Sequence, residues 1–280
     1  MLALVVASAL PARGQIQILG ITSSANFAVG RLLPGSLASV FCTGIQNVGG
    51  VIRAQEYPLP RMLAGVRVTV NGIEAPILAV ADLSGGSYQQ INVQVPWGVA
   101  IASGFDFEVS QLEVSSHFTT SPQGPWPVFF VDSSGYAIAQ HASDYRPVTE
   151  SDPAKPGEWT VVYATNLGPV QNQPADGYPA PPGVVDPIVP DTSRYAHYYG
   201  LAVGPSADYM APRIQSNYIG MVPGSIIYQV NLLVPSSQPA GDLVFQVVNI
   251  YNCGFFFVVG CGRNFATQAA SMPARIPVGR

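Results

Sequence analysis

Two segments of this chain, PGSLASVFCTGIQ (34–46) and PGEWTVVYATNLG (156–168), repeat one pattern 122 residues apart. Each opens on Pro-Gly, runs through strand-prone residues and closes on Thr followed by Gly or Asn. Pro-Gly is a turn signal, so each copy predicts a turn that launches a strand. The echo continues in QQINVQVP (89–96), answered by YQVNLLVP (228–235), and in the segments that follow Gly104 and Gly241. In the first copy Ile91, Val93 and Val95 alternate with Gln90, Asn92 and Gln94, the period of a half-buried strand. The three matches keep their order at offsets of 122, 139 and 137, which places a 17-residue net insertion in the second copy. The insertion falls in GPVQNQPADGYPAPPGVVDPIVP (168–190), whose seven prolines predict an extended surface loop.

A duplicated plan in 280 residues predicts two domains, each able to bury its own core. Gly (28) and Pro (26) are abundant, which disfavours long helices. The 48% apolar content argues against disorder. Seven or so short strands per copy, with frequent turn signals, predict an all-β chain of two tandem immunoglobulin-like β-sandwich domains. The expected boundaries are 16–122 and 123–268, the second carrying the Pro/Tyr-rich insertion at 168–200, with a stiff Pro-rich joint between them. Residues 269–280 read as a loose tail.

Residues 1–15 begin with an apolar run, Leu2 to Leu10, followed by Ala12-Arg13-Gly14, and so read as a secretory signal. No basic residue precedes the run, which leaves a second reading: a retained N-terminal strand with Leu2, Leu4, Val6 and Leu10 available for addition to a neighbouring sheet edge. Of the three cysteines, Cys253 and Cys261 flank an apolar run and would form a local disulfide in an exported protein, or remain a pair of thiols. Cys42 lies mid-strand, matches Ala164 in the echo and is expected to be a small buried residue.

The blocks LLPGSLASVFCTGI, LAGVRVTVNGIEAPILAV, QQINVQVPWGV, DPAKPGEWTVVYATNLGPV and YQVNLLVP closely resemble successive blocks of the Solibacter-type C-terminal domain family of secreted bacterial proteins. The likeness runs from about Ser23 to Asn264. It implies export and a pair of immunoglobulin-like domains akin to IPT/TIG repeats. It implies no established activity and no catalytic residues. The Pro/Tyr-rich insertion and the Cys253–Cys261 segment depart from the family pattern.

Basic residues are scattered arginines and a single lysine, Lys155, so nothing predicts tracking of a nucleic-acid backbone. No apolar stretch reaches the length of a membrane-spanning helix. The chain has three histidines and no Gly-x-Ser-x-Gly elbow, zinc-protease helix or phosphate-cradling loop, so an enzyme is not expected, and neither is a cofactor or metal. His141, with Asp144 three residues on, is the nearest approach to an acid/base pair, against a reading as polar loop decoration. His117 and His197 read as packing or surface residues. Asp132–Ala137 and Glu150–Ala154 hold too few carboxylates for a calcium loop.

Six of the 13 tyrosines, Tyr178, Tyr195, Tyr198, Tyr199, Tyr209 and Tyr218, cluster in and after the insertion. They form a candidate carbohydrate platform, against a role in covering the core. The expectation is a secreted, non-enzymatic structural or adhesive protein of the cell surface, a head-to-tail filament subunit through the N-terminal strand. The alternative is a monomeric module that binds an extracellular polysaccharide or surface.

Overall fold

The structure, a computed structural model, describes residues 15–30, 32–83, 85, 87–100, 104–121, 127–170, 172–182, 197–204, 212–252, 265–269 and 273–280. Among these the protein is all-β, with no helix. The first half contributes β1 (Gln17–Ser23), β2 (Leu37–Thr43), β3 (Val51–Arg53), β4 (Met62–Leu63), β5 (Val66–Val70), β6 (Ile73–Glu74), β7 (Ile77–Asp82), β8 (Gln89–Gln94), β9 (Phe105–Gln111) and β10 (Val114–Thr120). The second contributes β11 (Val128–Phe129), β12 (Ala139–His141), β13 (Trp159–Thr165), β14 (His197–Val203), β15 (Arg213–Ile214), β16 (Ser216–Met221), β17 (Tyr228–Leu233), β18 (Gly241–Asn252), β19 (Phe265–Ala269) and β20 (Ala274–Val278). These strands form four antiparallel sheets. Two of them, β1-β2-β8-β7-β3 and β10-β9-β5-β4 with β6, enclose a core that includes Val40, Val68, Ile91 and Phe107. The others, β11-β13-β17-β16 with β12 and β15-β14-β18 with β19 and β20, enclose a second core that includes Val162, Val230, Phe245 and Ile276.

The duplication read in the sequence is present at the level of single hydrogen bonds. Ser36 N–H donates to Leu33 O at 3.0 Å, and Glu158 N–H to Lys155 O at 3.0 Å, closing the same four-residue turn twice. Gly35 and Gly157 take the third position with φ of +80° and +81°, the left-handed conformation that a Pro-Gly type II turn requires. Each turn then seizes the end of a neighbouring strand. Gly35 N–H donates to Val95 O (2.8 Å) and Val95 N–H to Ser36 O (2.8 Å); Gly157 N–H donates to Val234 O (2.9 Å) and Val234 N–H to Glu158 O (2.8 Å). A β-bulge recurs as well: β7 shifts register between Ile77 and Ala79 against β8, and β16 between Ser216 and Tyr218 against β17. Cys42 and Ala164, matched in the echo, are both fully buried.

Three expectations are corrected. The insertion is a surface loop only in part over its described residues: Asn172, Gln173, Ala175, Tyr178, Pro181 and Pro182 are exposed, but Val170 and Ala180 are each 2% exposed and Gly177 is buried. The closing residues are no loose tail. β20 pairs with β18 from Gly241↔Val278 to Phe245↔Ala274, and Ile276 is fully buried. Its alternating apolar side chains fill a sheet position that β10 fills in the first half, so the second core is incomplete without it. Finally, the first copy has ten strands rather than about seven, since short pieces such as β3, β4 and β6 flank the longer ones.

The halves meet along a seam to which the insertion contributes Asp176 and Gly177. Leu37 and Leu59 of the first half pack with Ile226 of the second, flanked by Ala54, Leu78, Phe130 and Ile227. The Trp97 side chain leans onto the second core. Asp176 Oδ1 accepts from Trp97 N–H (2.7 Å), and Gly177 N–H donates to Gln94 Oε1 (2.7 Å). Leu59 N–H donates to Gly177 O (2.8 Å), Val131 N–H to Ala25 O (3.2 Å), and Leu37 N–H to Thr165 Oγ1 (2.9 Å). Domains joined only by a linker are expected to move against each other; a desolvated apolar contact with paired backbone groups opposes that motion.

Candidate functional site

A polar cleft lies in the second half, under the connection from β12 to β13. It holds about 350 Å³ and is lined by His141, Ser143, Arg146, Asp152, Lys155, Pro156, Gly157 and Glu158. β12 and β13 pair with His141 opposite Thr160, which brings the residue just before β13 alongside the imidazole. Glu158 stands there because the Lys155-Pro156-Gly157-Glu158 turn aims it back across the strand. Its Oε1 lies 2.5 Å from His141 Nδ1, and its Oε2 accepts from Lys155 N–H at 2.8 Å.

The histidine is 4% exposed, and its second nitrogen is also engaged. His141 Nε2 faces Asp152 O at 3.3 Å and Asp152 Oδ2 at 3.6 Å. Glu158 and Asp152 thus bracket the ring at its two nitrogens. Asp144, the partner expected from sequence, turns away to Arg146, whose Nε donates to Asp144 Oδ2 at 2.8 Å. The Arg146 side-chain hydrogen bond is the main cause that holds the Asp144 carboxyl below its ordinary range. Arg146 also pairs with Asp152, so the loop is tied to itself and then to the imidazole.

A histidine beside a carboxylate, in a cleft that also holds a serine, has the composition of an acid/base site. The geometry does something else. General base catalysis needs a ring nitrogen open to substrate, and here Nδ1 is taken by Glu158 while Nε2 faces Asp152. His141 is a buried clasp that closes the 142–158 loop over the β12–β13 hairpin. The groups left open at the mouth are Ser143 and the Lys155 ammonium, which has no ion-pair partner among the described residues. No group of three or more His, Cys, Asp or Glu side chains is placed to hold a metal ion among the described residues.

The other predicted residues are scattered. Tyr178 is 50% exposed, and Tyr218, on β16, donates its hydroxyl to Met221 O at 2.5 Å. Tyr198 and Tyr199 belong to β14, opposite Ile250 and Asn249. Tyr195 and Tyr209 lie outside the described residues, as do Cys253, Cys261, Leu2, Leu4, Val6 and Leu10. His117 is an exposed residue on β10, 3.2 Å from Asp106 Oδ2. Asp132 caps a turn by accepting from Ser134 N–H (2.9 Å) and Tyr136 N–H (3.0 Å). Beside that turn Arg275 lies 4.3 Å above the Tyr136 ring and donates to Asp242 at 2.9 Å.

Sequence reasoning missed Glu158 as the partner of His141. The two lie 17 positions apart and meet only through the pairing of β12 with β13. The available signal was the Pro-Gly turn: a turn that reverses the chain immediately before a strand brings the next residue against the neighbouring strand.

No protein-family profile and no curated protein match the chain. Among solved structures it is similar, at 12% identity and a TM-score of 0.14, to an endo-fucoidan hydrolase from glycoside hydrolase family 107; the match covers 95% of this chain and 44% of the hydrolase. A variant of that hydrolase matches at 11% identity with a TM-score of 0.11, over 84% of this chain and 45% of the other. The chain thus spans less than half the length of either structure, and likenesses this weak carry no argument about fold or activity. No helix among the described residues is long and apolar enough to cross a membrane.

Proposed function

We propose that the chain is an exported, non-enzymatic structural or adhesive protein of the cell surface, built from two immunoglobulin-like β-sandwich units fused into one strut. The observation that supports this reading is the seam. Leu37, Leu59 and Ile226 are nearly fully buried between the halves, and Asp176 and Gly177 of the insertion hydrogen-bond Trp97, Gln94 and Leu59 of the first half. A protein that spaces or anchors things outside the cell gains from a joint that does not hinge. The resemblance to the Solibacter-type family and the apolar N-terminal run favour export.

A filament built by strand addition adds one observation to this reading: β1, which follows the apolar run, stands at the edge of its sheet with only β2 beside it. The test is electron microscopy of material sheared from the source cells, with the N-terminal residue read by mass spectrometry. Ordered fibres whose subunits retain Leu2–Leu10 support a polymer with that segment as the linking strand. Surface-attached single particles beginning near Gln15 support an anchored strut. Protein found only inside the cells overturns the proposal.

A further inference from the structure

The outward face of β2 and β8 carries a group of side chains that no core requires. Val40, Ile91 and Val93 point inward, which leaves Phe41, Gln90 and Asn92 on the opposite side. Phe41 stands at the centre of three rings. Phe27 lies 6.0 Å from it and Tyr88 lies 6.2 Å, tilted by 56° and 58°. Phe27 is 55% exposed and Tyr88 38% exposed, so much of this aromatic surface meets solvent.

Phe27 also has a φ of +57°. Left-handed backbone is costly for a bulky side chain, and such strain collects where a side chain is being presented rather than packed. Beside the rings runs a polar row. Gln90 Nε2 donates to Asn92 Oδ1 (2.7 Å) and to Ser39 Oγ (3.1 Å), and Ser39 Oγ donates to Asn92 Oδ1 (2.9 Å). These bonds fix both amides, and they leave Gln90 Oε1 and Asn92 Nδ2 without a partner among the described residues: one acceptor and one donor, side by side.

The second half repeats part of this arrangement at matched positions, with one ring, whose hydroxyl donates to Gln140 Oε1 at 2.5 Å, and the same amide pair. Tyr163 lies opposite Gln229, as Phe41 lies opposite Gln90. Gln229 Nε2 donates to Asn231 Oδ1 at 2.8 Å, again leaving Gln229 Oε1 and Asn231 Nδ2 unpartnered among the described residues. The six strands involved, β1, β2 and β8 in one half and β13, β16 and β17 in the other, contain no Asp, Glu, Lys, Arg or His.

We propose that the Phe27–Phe41–Tyr88 face, with Gln90 and Asn92, binds a neutral polysaccharide, and that Tyr163, Gln229 and Asn231 form its second, weaker copy. The inference rests on the adhesive reading and names its ligand class. A pyranose offers an apolar face of C–H bonds to a ring and vicinal hydroxyls to a neighbouring acceptor and donor. These strands carry no charge and a single cation, exposed Arg53 of β3, continues the row beyond Asn92 and Ala79, so the face disfavours sulfated or uronic polymers, which call for several cationic partners.

The test is native affinity electrophoresis of the full chain through gels containing hydroxyethylcellulose, galactomannan or, as the charged comparison, dextran sulfate. Retardation by at least one neutral polymer and none by dextran sulfate is expected. Phe27→Gly, which suits the left-handed backbone, should weaken binding roughly fivefold while keeping the thermal midpoint at or above the wild-type value. Asn92→Asp keeps the internal acceptor, replaces the outward donor with a charge, and should weaken binding by a similar factor. Absence of retardation by both neutral polymers overturns the proposal, as does retardation that neither variant changes. Self-association that Phe27→Gly abolishes, without polymer binding, assigns the face to a second copy of the chain and also overturns it. None of these failures touches the strut, which is tested by imaging and by the behaviour of the seam.

Discussion

Gly177 is the residue on which the seam is most exposed to a single change. Its φ is +79°, and a Cβ built there lies 3.1 Å from Leu59 O and 3.2 Å from Pro76 Cβ and Cγ. Its N–H and C=O both bond to the first half, with Gln94 and Leu59 at 2.7 Å and 2.8 Å. In Gly177→Ala the left-handed conformation alone costs roughly 1–2 kcal/mol. The close approach of backbone and proline ring must then be relieved by moving the insertion away from β7 and β8, lengthening one or both hydrogen bonds. The total is about 2 kcal/mol, and for a cooperative unit of this size it lowers the thermal midpoint by about 4–8 °C. The assay is equilibrium urea unfolding followed by far-ultraviolet circular dichroism and tryptophan emission together. Wild type should show one transition that coincides by both probes. Gly177→Ala should move that transition to lower urea or divide it in two, as the halves lose the contact that couples them. Two independent transitions in wild type, or a variant within about 0.3 kcal/mol of it, would refute the claim that the seam joins the halves energetically.

Other expectations follow from the same geometry. Gly35→Ala should cost about 1–3 kcal/mol more than Gly157→Ala: both pay for the left-handed turn, but only the first drives a Cβ to within 2.0 Å of the Trp97 ring, against 3.6 Å from Ser236 Oγ in the second. Paired denaturation curves decide it, and equal costs would mean the Trp97 ring moves freely. Glu158→Ala should cost roughly 1.5–3 kcal/mol by stripping the buried imidazole and the Lys155 amide of their acceptor, while Ser143→Ala stays within about 0.5 kcal/mol. The reverse ranking would make the clasp the wrong description of His141. Burial pushes the Cys42 thiol up to about 12, so iodoacetamide at pH 8 should leave the Cys42 peptide unmodified in the folded chain and label it in urea, as read by mass spectrometry. Because Arg146 lowers the Asp144 pKa in the folded state, the pair stabilises above the ordinary carboxylate range and loses that contribution as pH falls through the folded value. Asp144→Asn should therefore flatten the acid limb of the stability–pH curve and leave the alkaline limb unchanged.

The sequence carried the duplication in full detail where it was local. Pro34-Gly35 and Pro156-Gly157 name a turn whose backbone only glycine adopts cheaply, and the alternation in QQINVQVP and YQVNLLVP fixes which side chains enter the core. Contacts between distant segments were not legible. Proline content marked residues 168–190 as outside any sheet interior, but proline-rich chain can also line a buried seam when its few amides find partners, as Gly177 finds Gln94. The final strand was missed for a related reason. ARIPV contains a proline and follows a run of small residues, which locally resembles a tail, and only the open side of β18 makes it a strand. The candidate site shows the same limit. His141 and Asp144 are near in sequence, yet Asp144 is drawn to an arginine two residues away, and the true partner arrives through strand pairing.

The most direct test of the account is amide hydrogen exchange, resolved by nuclear magnetic resonance, at the seam. Four of the five seam donors report it: Leu37, Leu59, Trp97 and Gly177. If the halves form one strut, these amides open only with global unfolding and exchange with the same free energy as Val68 and Val162 in the two cores. Exchange at the four seam amides by orders of magnitude faster than in both cores would show that the halves part without unfolding, and the strut would be wrong.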